Sequence, residues 1–290
     1  MLERFRIAVV LLSLAALPGT ACADTILFIG NSFTFGGGAQ AVQGYRPQTV
    51  TDLNREGVGG VPALFKSFTR QAGLEYDVSL ETAAGSNLDF HYEQKAALIS
   101  RAWDHVVMHG YSTLDAQTPG DAGKIIDYSA KLAELFHTAN PQVDVRLVAT
   151  WSRADQTWLP SGHWFGKPIE SMAIDVRAAY DRAAEHSAYI RAVIPVGQAW
   201  NRTIAAGIAA SNPYVGVGPA QINLWASDAY HASVYGSYLE ALVIFGSVTG
   251  RDPRSLGRKE QVAAQLAIPP GTARALQRIA FETLANERKQ

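Results

Sequence analysis

The chain has one cysteine in 290 residues, and that residue, Cys22, falls in the opening segment. Beyond it there is no thiol for a disulfide, for nucleophilic attack or for a thiolate metal site, so the fold has to be held by its core. An excess of one charge is missing as well. Lys and Arg number 25 against 26 Asp and Glu, a net charge of −1. That balance gives no electrostatic reason to expect nucleic acid or an anionic membrane surface as a partner. A membrane-spanning run is lacking too: the apolar stretch from Ile7 to Leu17 is too short to cross a bilayer. No group of His, Asp and Glu has metal-ligand spacing, so neither a metal nor a cofactor is expected. Internal repeats and low-complexity tracts are not apparent.

What the opening segment does have is a charged head (Arg4, Arg6), the short apolar run, and Ala21-Cys22-Ala23 as a small-x-small cleavage site. These are the parts of a secretory signal peptide over residues 1–23. An exported protein, periplasmic or secreted, is therefore expected, with one domain over residues 24–290. Cleavage removes two of 25 basic and one of 26 acidic residues and moves the net charge from −1 to −2. It also removes Cys22. A chain of this length can bury a core large enough to fold without disulfides.

Apolar runs of strand length alternate with longer helical patterns. Strands are expected at Ile26–Ile29, Tyr76–Thr82, His105–Met108, Val143–Ala149 and Arg191–Pro195. Helices are expected at Val61–Ala72, with Pro62 near its start and Gly73 as its stop, at Asp121–Ala139 and at Ile169–His186. Another begins near Gln198, and Ser233–Val248 is a last apolar helix. This alternation implies a parallel sheet of about five strands covered on both faces, an α/β/α architecture. In such a sheet ligands bind beyond the carboxyl ends of the strands. Three polar, glycine-bearing loops fall there: Gly30-Asn31-Ser32, Ala84-Gly85-Ser86-Asn87 and His109-Gly110-Tyr111-Ser112.

The first of these sits within TILFIGNSFTFGGG, residues 25–38, where a buried strand ends abruptly at a serine. A phosphate cradle is one reading of a glycine-rich turn after a strand. The stretch lacks G-x-G-x-x-G and the terminal Gly-Lys-Ser/Thr, and it has no basic residue between Asp24 and Arg46, so the chemistry of phosphate binding is absent. A nucleophile is the other reading. A serine hydroxyl needs a base within hydrogen-bond reach and a group that orients the base. Of seven histidines, His91 and His186 lie on helix-like stretches and read as surface or packing residues, His105 opens a strand and His137 ends a helix. His109, His163 and His231 lie near loops. Only His231 has an acid at a short fixed offset in a loop-to-helix setting, Asp228, three residues earlier. One turn of backbone puts residues i and i+3 on a common face. Taken alone, D-x-x-H also reads as an N-cap aspartate with a surface histidine.

Gly-Asn-Ser after the first strand, Gly-Ser-Asn after the second and Asp-x-x-His near the carboxyl end together resemble the SGNH hydrolase superfamily. The segment LWASDAYHASVYGSYLEALVIFG is similar to the last block and closing helix of an exported branch whose opening block reads Gly-Asn-Ser. The resemblance implies a three-layer α/β/α fold and ester hydrolysis through an acyl-enzyme. It implies Ser32 as nucleophile, His231 as general base, Asp228 as its orienting group, and the N–H groups of Ser32 and Gly85 as oxyanion donors. The chain departs from the family at the third block. Gly-x-Asn-Asp, whose asparagine donates to the oxyanion, is replaced by His109-Gly110-Tyr111-Ser112. The missing donor is then Asn87, Tyr111, His109 or Ser112, or there is none.

Asn31, His109, Tyr111, His163, Trp164 and Gln198 are expected to line the substrate. The aromatic loop Leu159–Gly166 suits a wall for stacking on sugar rings or a packed surface loop equally well. Trp200 reads as helix packing, and Gly36-Gly37-Gly38 as a mobile loop. The expected function is an exported serine esterase that deacetylates carbohydrate. A lipase-like or aryl esterase is the alternative among enzymes, and a non-catalytic carbohydrate-binding protein the alternative from another class.

Overall fold

The computed structural model describes residues 23–287. The expected signal peptide lies outside the described residues, apart from Ala23. In chain order the first half runs β1 (Asp24–Gly30), α1 (Ser32–Phe35), α2 (Gln40–Gln43), β2 (Thr51–Asp52), α3 (Gly60–Gln71), β3 (Tyr76–Thr82), α4 (Leu88–Ile99), β4 (His105–Met108) and α5 (Gly123–Ala139). The second half runs β5 (Asp144–Val148), α6 (Ala154–Trp158), α7 (Glu170–His186), β6 (Ile190–Ile194), α8 (Val196–Ala205), α9 (Val234–Thr249), α10 (Gln261–Gln265) and α11 (Pro270–Glu287).

All strand pairs are parallel and the sheet order is β2-β3-β1-β4-β5-β6. The five expected strands are present. The sheet has six because β2, two residues long, pairs at its edge with Ser79 and Leu80. An element that short is below what residue alternation can signal. Setting β2 aside, the chain starts in the second position, steps one way to β3 and then the other way to β4. The point of reversal is the carboxyl end of β1, where this class of sheet binds ligands.

The run Ile26-Leu27-Phe28-Ile29 is buried along its whole length, as a strand covered on both faces must be. Its side chains alternate between two cores. Ile26 and Phe28 share one with Leu64 and Phe68 of α3, Leu242 of α9 and Leu276 of α11. Leu27 and Ile29 share the other with Leu88 of α4, Leu132 of α5 and Val176 of α7. Each such side chain contributes about 1.5–3 kcal/mol on burial, and two cores of this size hold the chain without a cross-link. The middle helix of the first core, α9, is largely apolar and buried over most of its length. Ser233 caps its start, accepting from the N–H groups of Tyr235 and Gly236, and Gly250 in the left-handed region ends it.

Gly36-Gly37-Gly38 is not a free loop. A Cβ at Gly37 would lie 2.8 Å from the Ser32 Cβ, and one at Gly38 2.4 Å from the His231 Cβ. The glycines are packed where two site loops pass too closely for side chains.

Candidate active site

Ser32 is the first residue of α1, immediately beyond the buried strand. Asn31 caps that helix: its Oδ1 accepts from the Phe33 N–H at 3.1 Å. Its Nδ2 donates to the carbonyls of Ser86 and Gly110, both at 3.0 Å. One buried carboxamide thus ties the loops after β1, β3 and β4 together. Both side-chain polar atoms of Asn31 are engaged within the protein, so it braces the loops where its place in the sequence suggested a substrate ligand.

The histidine arrives from 199 residues away. Trp225 and Ala232 form an isolated antiparallel bridge, and the Ala226 N–H donates to the His231 carbonyl at 2.8 Å. Between them the chain makes a tight turn that puts the Asp228 and His231 side chains together. Asp228 Oδ1 accepts from the N–H groups of Tyr230 and His231 at 3.0 and 2.9 Å, and Ala229 takes a left-handed φ of 57°. The turn is pinned to the end of β5. Trp151 Nε1 donates to the Tyr230 carbonyl at 3.2 Å, Trp225 Nε1 to the Ser152 carbonyl at 2.9 Å, and the Ala154 N–H to the Ala229 carbonyl at 3.0 Å. Beneath it Phe33 stacks on Trp151 with ring centroids 4.1 Å apart, and Trp151 on Trp200 at 4.6 Å. Trp200 is therefore core, and the aromatic stack fixes the serine helix against the histidine turn.

The result is a continuous relay. Asp228 Oδ2 lies 2.6 Å from His231 Nδ1, and His231 Nε2 lies 2.8 Å from Ser32 Oγ. The carboxylate can only accept, so Nδ1 carries the proton, Nε2 accepts, and the Ser32 hydroxyl donates to it. Burial raises the Asp228 carboxyl, but hydrogen bonds from the His231 ring and from the two N–H groups outweigh it and hold the group below its ordinary range. The orienting acid is thus ionised at neutral pH. Ser32 is 7% exposed. The N–H groups of Ser32 and Gly85 have no hydrogen-bond partner among the described residues. Gly85 sits in an exposed turn with φ of 68°, a conformation that favours glycine.

Several expected ligands are committed elsewhere. Asn87 Oδ1 accepts from the N–H groups of Leu88 and Tyr111 at 2.9 and 3.0 Å, and its Nδ2 donates to the Leu114 carbonyl at 2.9 Å. It braces the third-block loop. The His109 ring is 2% exposed. Its Nδ1–H donates to the Gly110 carbonyl at 3.0 Å, and its Nε2 accepts from Thr34 Oγ1 at 2.7 Å. Burial drives its pKa down to about 4, so it is a neutral packing residue at pH 7. Trp164 is buried and donates to Asp175 Oδ2 at 2.7 Å. His163 is exposed beside Gly120. Gln198 Nε2 donates to the Ala173 carbonyl at 3.1 Å and joins α8 to α7. Of the expected substrate residues, half-buried Tyr111 stays at the edge, with Arg153 and Tyr230 as neighbours.

The structure adds two groups. Arg153, just beyond β5, donates through Nε and Nη2 to Asp155 at 3.0 and 2.6 Å and through Nη1 to Ser112 Oγ at 3.2 Å. Its position after a strand is the signal that sequence offered. The other is a second serine–histidine–carboxylate set. His91 Nδ1 bonds Glu81 Oε2, and His91 Nε2 lies 2.8 Å from Ser86 Oγ. Glu81 and His91 are fully buried, so His91 is no surface residue. Ser86 Oγ donates to the Ala83 carbonyl at 2.8 Å, and the set underpins the turn that presents Gly85.

No protein-family model matches the chain, and no curated protein does. Solved structures match it in fold. A DUF4886 family protein from Bacteroides uniformis superposes with a TM-score of 0.61 at 17% identity, over 91% of this chain and 95% of that one. A protein described as a GDSL-like lipase, from Parabacteroides merdae, gives 0.53 at 15% over 78% and 95%. TesA gives 0.50 at 13% over 78% and 99%. The chain has the α/β/α fold of GDSL/SGNH-like hydrolases, as its sequence blocks implied.

Proposed function

We propose that this protein is an exported serine esterase that works through an acyl-enzyme, with acetylated carbohydrate as its substrate. The carrying observation is the unbroken Ser32–His231–Asp228 hydrogen-bond relay at the switch point of the sheet. Ser32 Oγ attacks the ester carbonyl as its proton passes to His231 Nε2. Asp228 stabilises the imidazolium that forms. The carbonyl oxygen becomes an oxyanion facing the unpartnered N–H groups of Ser32 and Gly85. The proton on Nε2 then goes to the leaving alkoxide, the carbon–oxygen bond to it breaks, and Ser32 is left acylated. Water enters by the same route in reverse, with His231 as its base, and releases the acid. Resemblance in fold to a GDSL-like lipase supports the reaction class. Tyr214, 48% exposed and near Asp228, Asp155 and Arg153, offers an aromatic face at the rim that suits stacking on a sugar.

The test is turnover of p-nitrophenyl acetate, then of acetylated oligosaccharides, by the wild type and by Ser32→Ala and His231→Ala. Loss of at least about 10⁴-fold in kcat is expected for each, with stoichiometric organophosphate labelling of the wild type at Ser32. Undiminished turnover in both variants refutes the mechanism. An unlabelled wild type that binds acetylated polysaccharide tightly favours a carbohydrate-binding protein instead.

A further inference from the structure

Three polar side chains around Ser32 are consumed by internal hydrogen bonds: Asn31, Asn87 and His109. Tyr230 is different. Its backbone is fixed at both ends, the N–H by Asp228 and the carbonyl by Trp151. Its ring is held on three sides. The His231 ring centroid lies 4.0 Å away, that of Phe33 5.4 Å, and the Arg153 guanidinium carbon 3.7 Å over the face. Arg153 is itself held by Asp155 through two hydrogen bonds and reaches Ser112 Oγ with its remaining nitrogen. The side chains of Ser112 and Ser32 lie close enough to the phenol to act on it.

Resting on the esterase reading, we propose that the Tyr230 hydroxyl is a catalytic hydrogen-bond donor to the substrate oxygen that becomes negative when Ser32 attacks, held in place by Arg153. No bond to Tyr230 forms or breaks. It donates one O–H to the oxyanion of each tetrahedral intermediate and keeps its proton throughout. Burial raises the phenol above its ordinary value, with Arg153 opposing, so it remains a donor at neutral pH. A cation against the face and a rigid aromatic frame preorganise the donor before charge develops, which is where such groups act most strongly. Ser112, already accepting from Arg153, has its own proton free to point toward the phenol oxygen and direct the Tyr230 O–H outward.

Tyr230→Phe is the direct test, because Phe keeps the ring between His231 and Arg153. With p-nitrophenyl acetate, kcat is expected to fall about 10²-fold, as for loss of one oxyanion donor, with KM within threefold and the melting temperature within about 2 °C. Organophosphate is still expected to label Ser32 in the variant, more slowly. A purely structural role would shift melting and leave kcat close to wild type. An active wild type with a Tyr230→Phe kcat within threefold of it overturns the proposal and leaves the esterase reading intact. So does a loss seen only in KM. A wild type that neither turns over nor labels overturns both.

Discussion

Asn31→Asp separates the two ends of the carboxamide that joins three loops. The acceptor end survives, since an aspartate oxygen still caps α1 by accepting from Phe33. The donor end does not. Nδ2 now gives one hydrogen to the Ser86 carbonyl and one to the Gly110 carbonyl, and a carboxylate oxygen there would face two acceptors in a site 4% exposed. Each lost hydrogen bond costs about 1 kcal/mol, and buried carbonyls left without a donor add to it, for a total of roughly 2–4 kcal/mol at pH 8. A chain of this size loses about 2–4 °C of melting temperature per kcal/mol, so a drop of about 5–15 °C is expected. The new carboxyl is pushed above its ordinary value by burial and by the two carbonyl dipoles. Between those values the folded state holds a proton that the unfolded state has lost, so the variant loses stability as pH rises. At pH 4 the protonated acid donates to one carbonyl again and part of the loss is recovered. Thermal melts of wild type and variant at pH 4, 6 and 8 measure this directly. A variant within 2 °C of wild type at pH 8 would refute the brace.

Other perturbations follow from the same packing. Gly38→Ala places a Cβ 2.4 Å from the His231 Cβ and 2.8 Å from that of Ala226. Displacing the histidine by about 1 Å is expected to lower kcat by about 10²-fold while leaving most molecules folded by circular dichroism; unchanged turnover would show that the glycine run yields freely. Glu240 on α9 is fully buried with Oε2 unpartnered among the described residues, and burial holds its pKa well above the ordinary carboxyl value. The folded state keeps that proton above pH 4.5 while the unfolded state gives it up, so Glu240 costs stability increasingly as pH rises. Glu240→Gln is therefore expected to raise the melting temperature by about 2–5 °C at pH 8 and by less at pH 5; equal shifts at the two pH values would contradict a protonated Glu240.

Five central strands and the order of their loops were legible because a doubly covered strand is apolar along its length and is bounded by glycine and polar residues. The helix α11 was not foreseen, and α4 only as a helix-like stretch around His91. Leu88–Ile99 buries only Leu88, His91 and Ile99, too few to mark a face. Ala273, Leu276, Ile279, Ala280 and Leu284 of α11 do recur at helical spacing, and that periodicity is the signal the segment carries. At the site, the meeting of Ser32, Asp228 and His231 was legible through the family resemblance, whose strand-end serine and D-x-x-H offset are local features, each visible in a few residues. The substrate residues were not, because a polar side chain near a strand end declares its chemistry and not its partner. Asn31, Asn87 and His109 stand at the edge of the sheet and spend their donors holding its loops together. Glu81, Ser86 and His91 share this property, for nothing in their spacing distinguishes a buried brace from a solvated face. Arg153 and Tyr230 were missed for the opposite reason. Each is unremarkable alone and gains meaning only when the turn after residue 225 folds back over the end of β5, a contact between segments about 80 residues apart. The site is therefore built in two layers. The proposed reacting groups Ser32, Asp228 and His231 lie in short local motifs, and the braces Asn31 and Asn87 are set by contacts between distant loops, so substitutions at the braces should change rate and stability together, where those at the proposed reacting groups and at Tyr230 change rate alone.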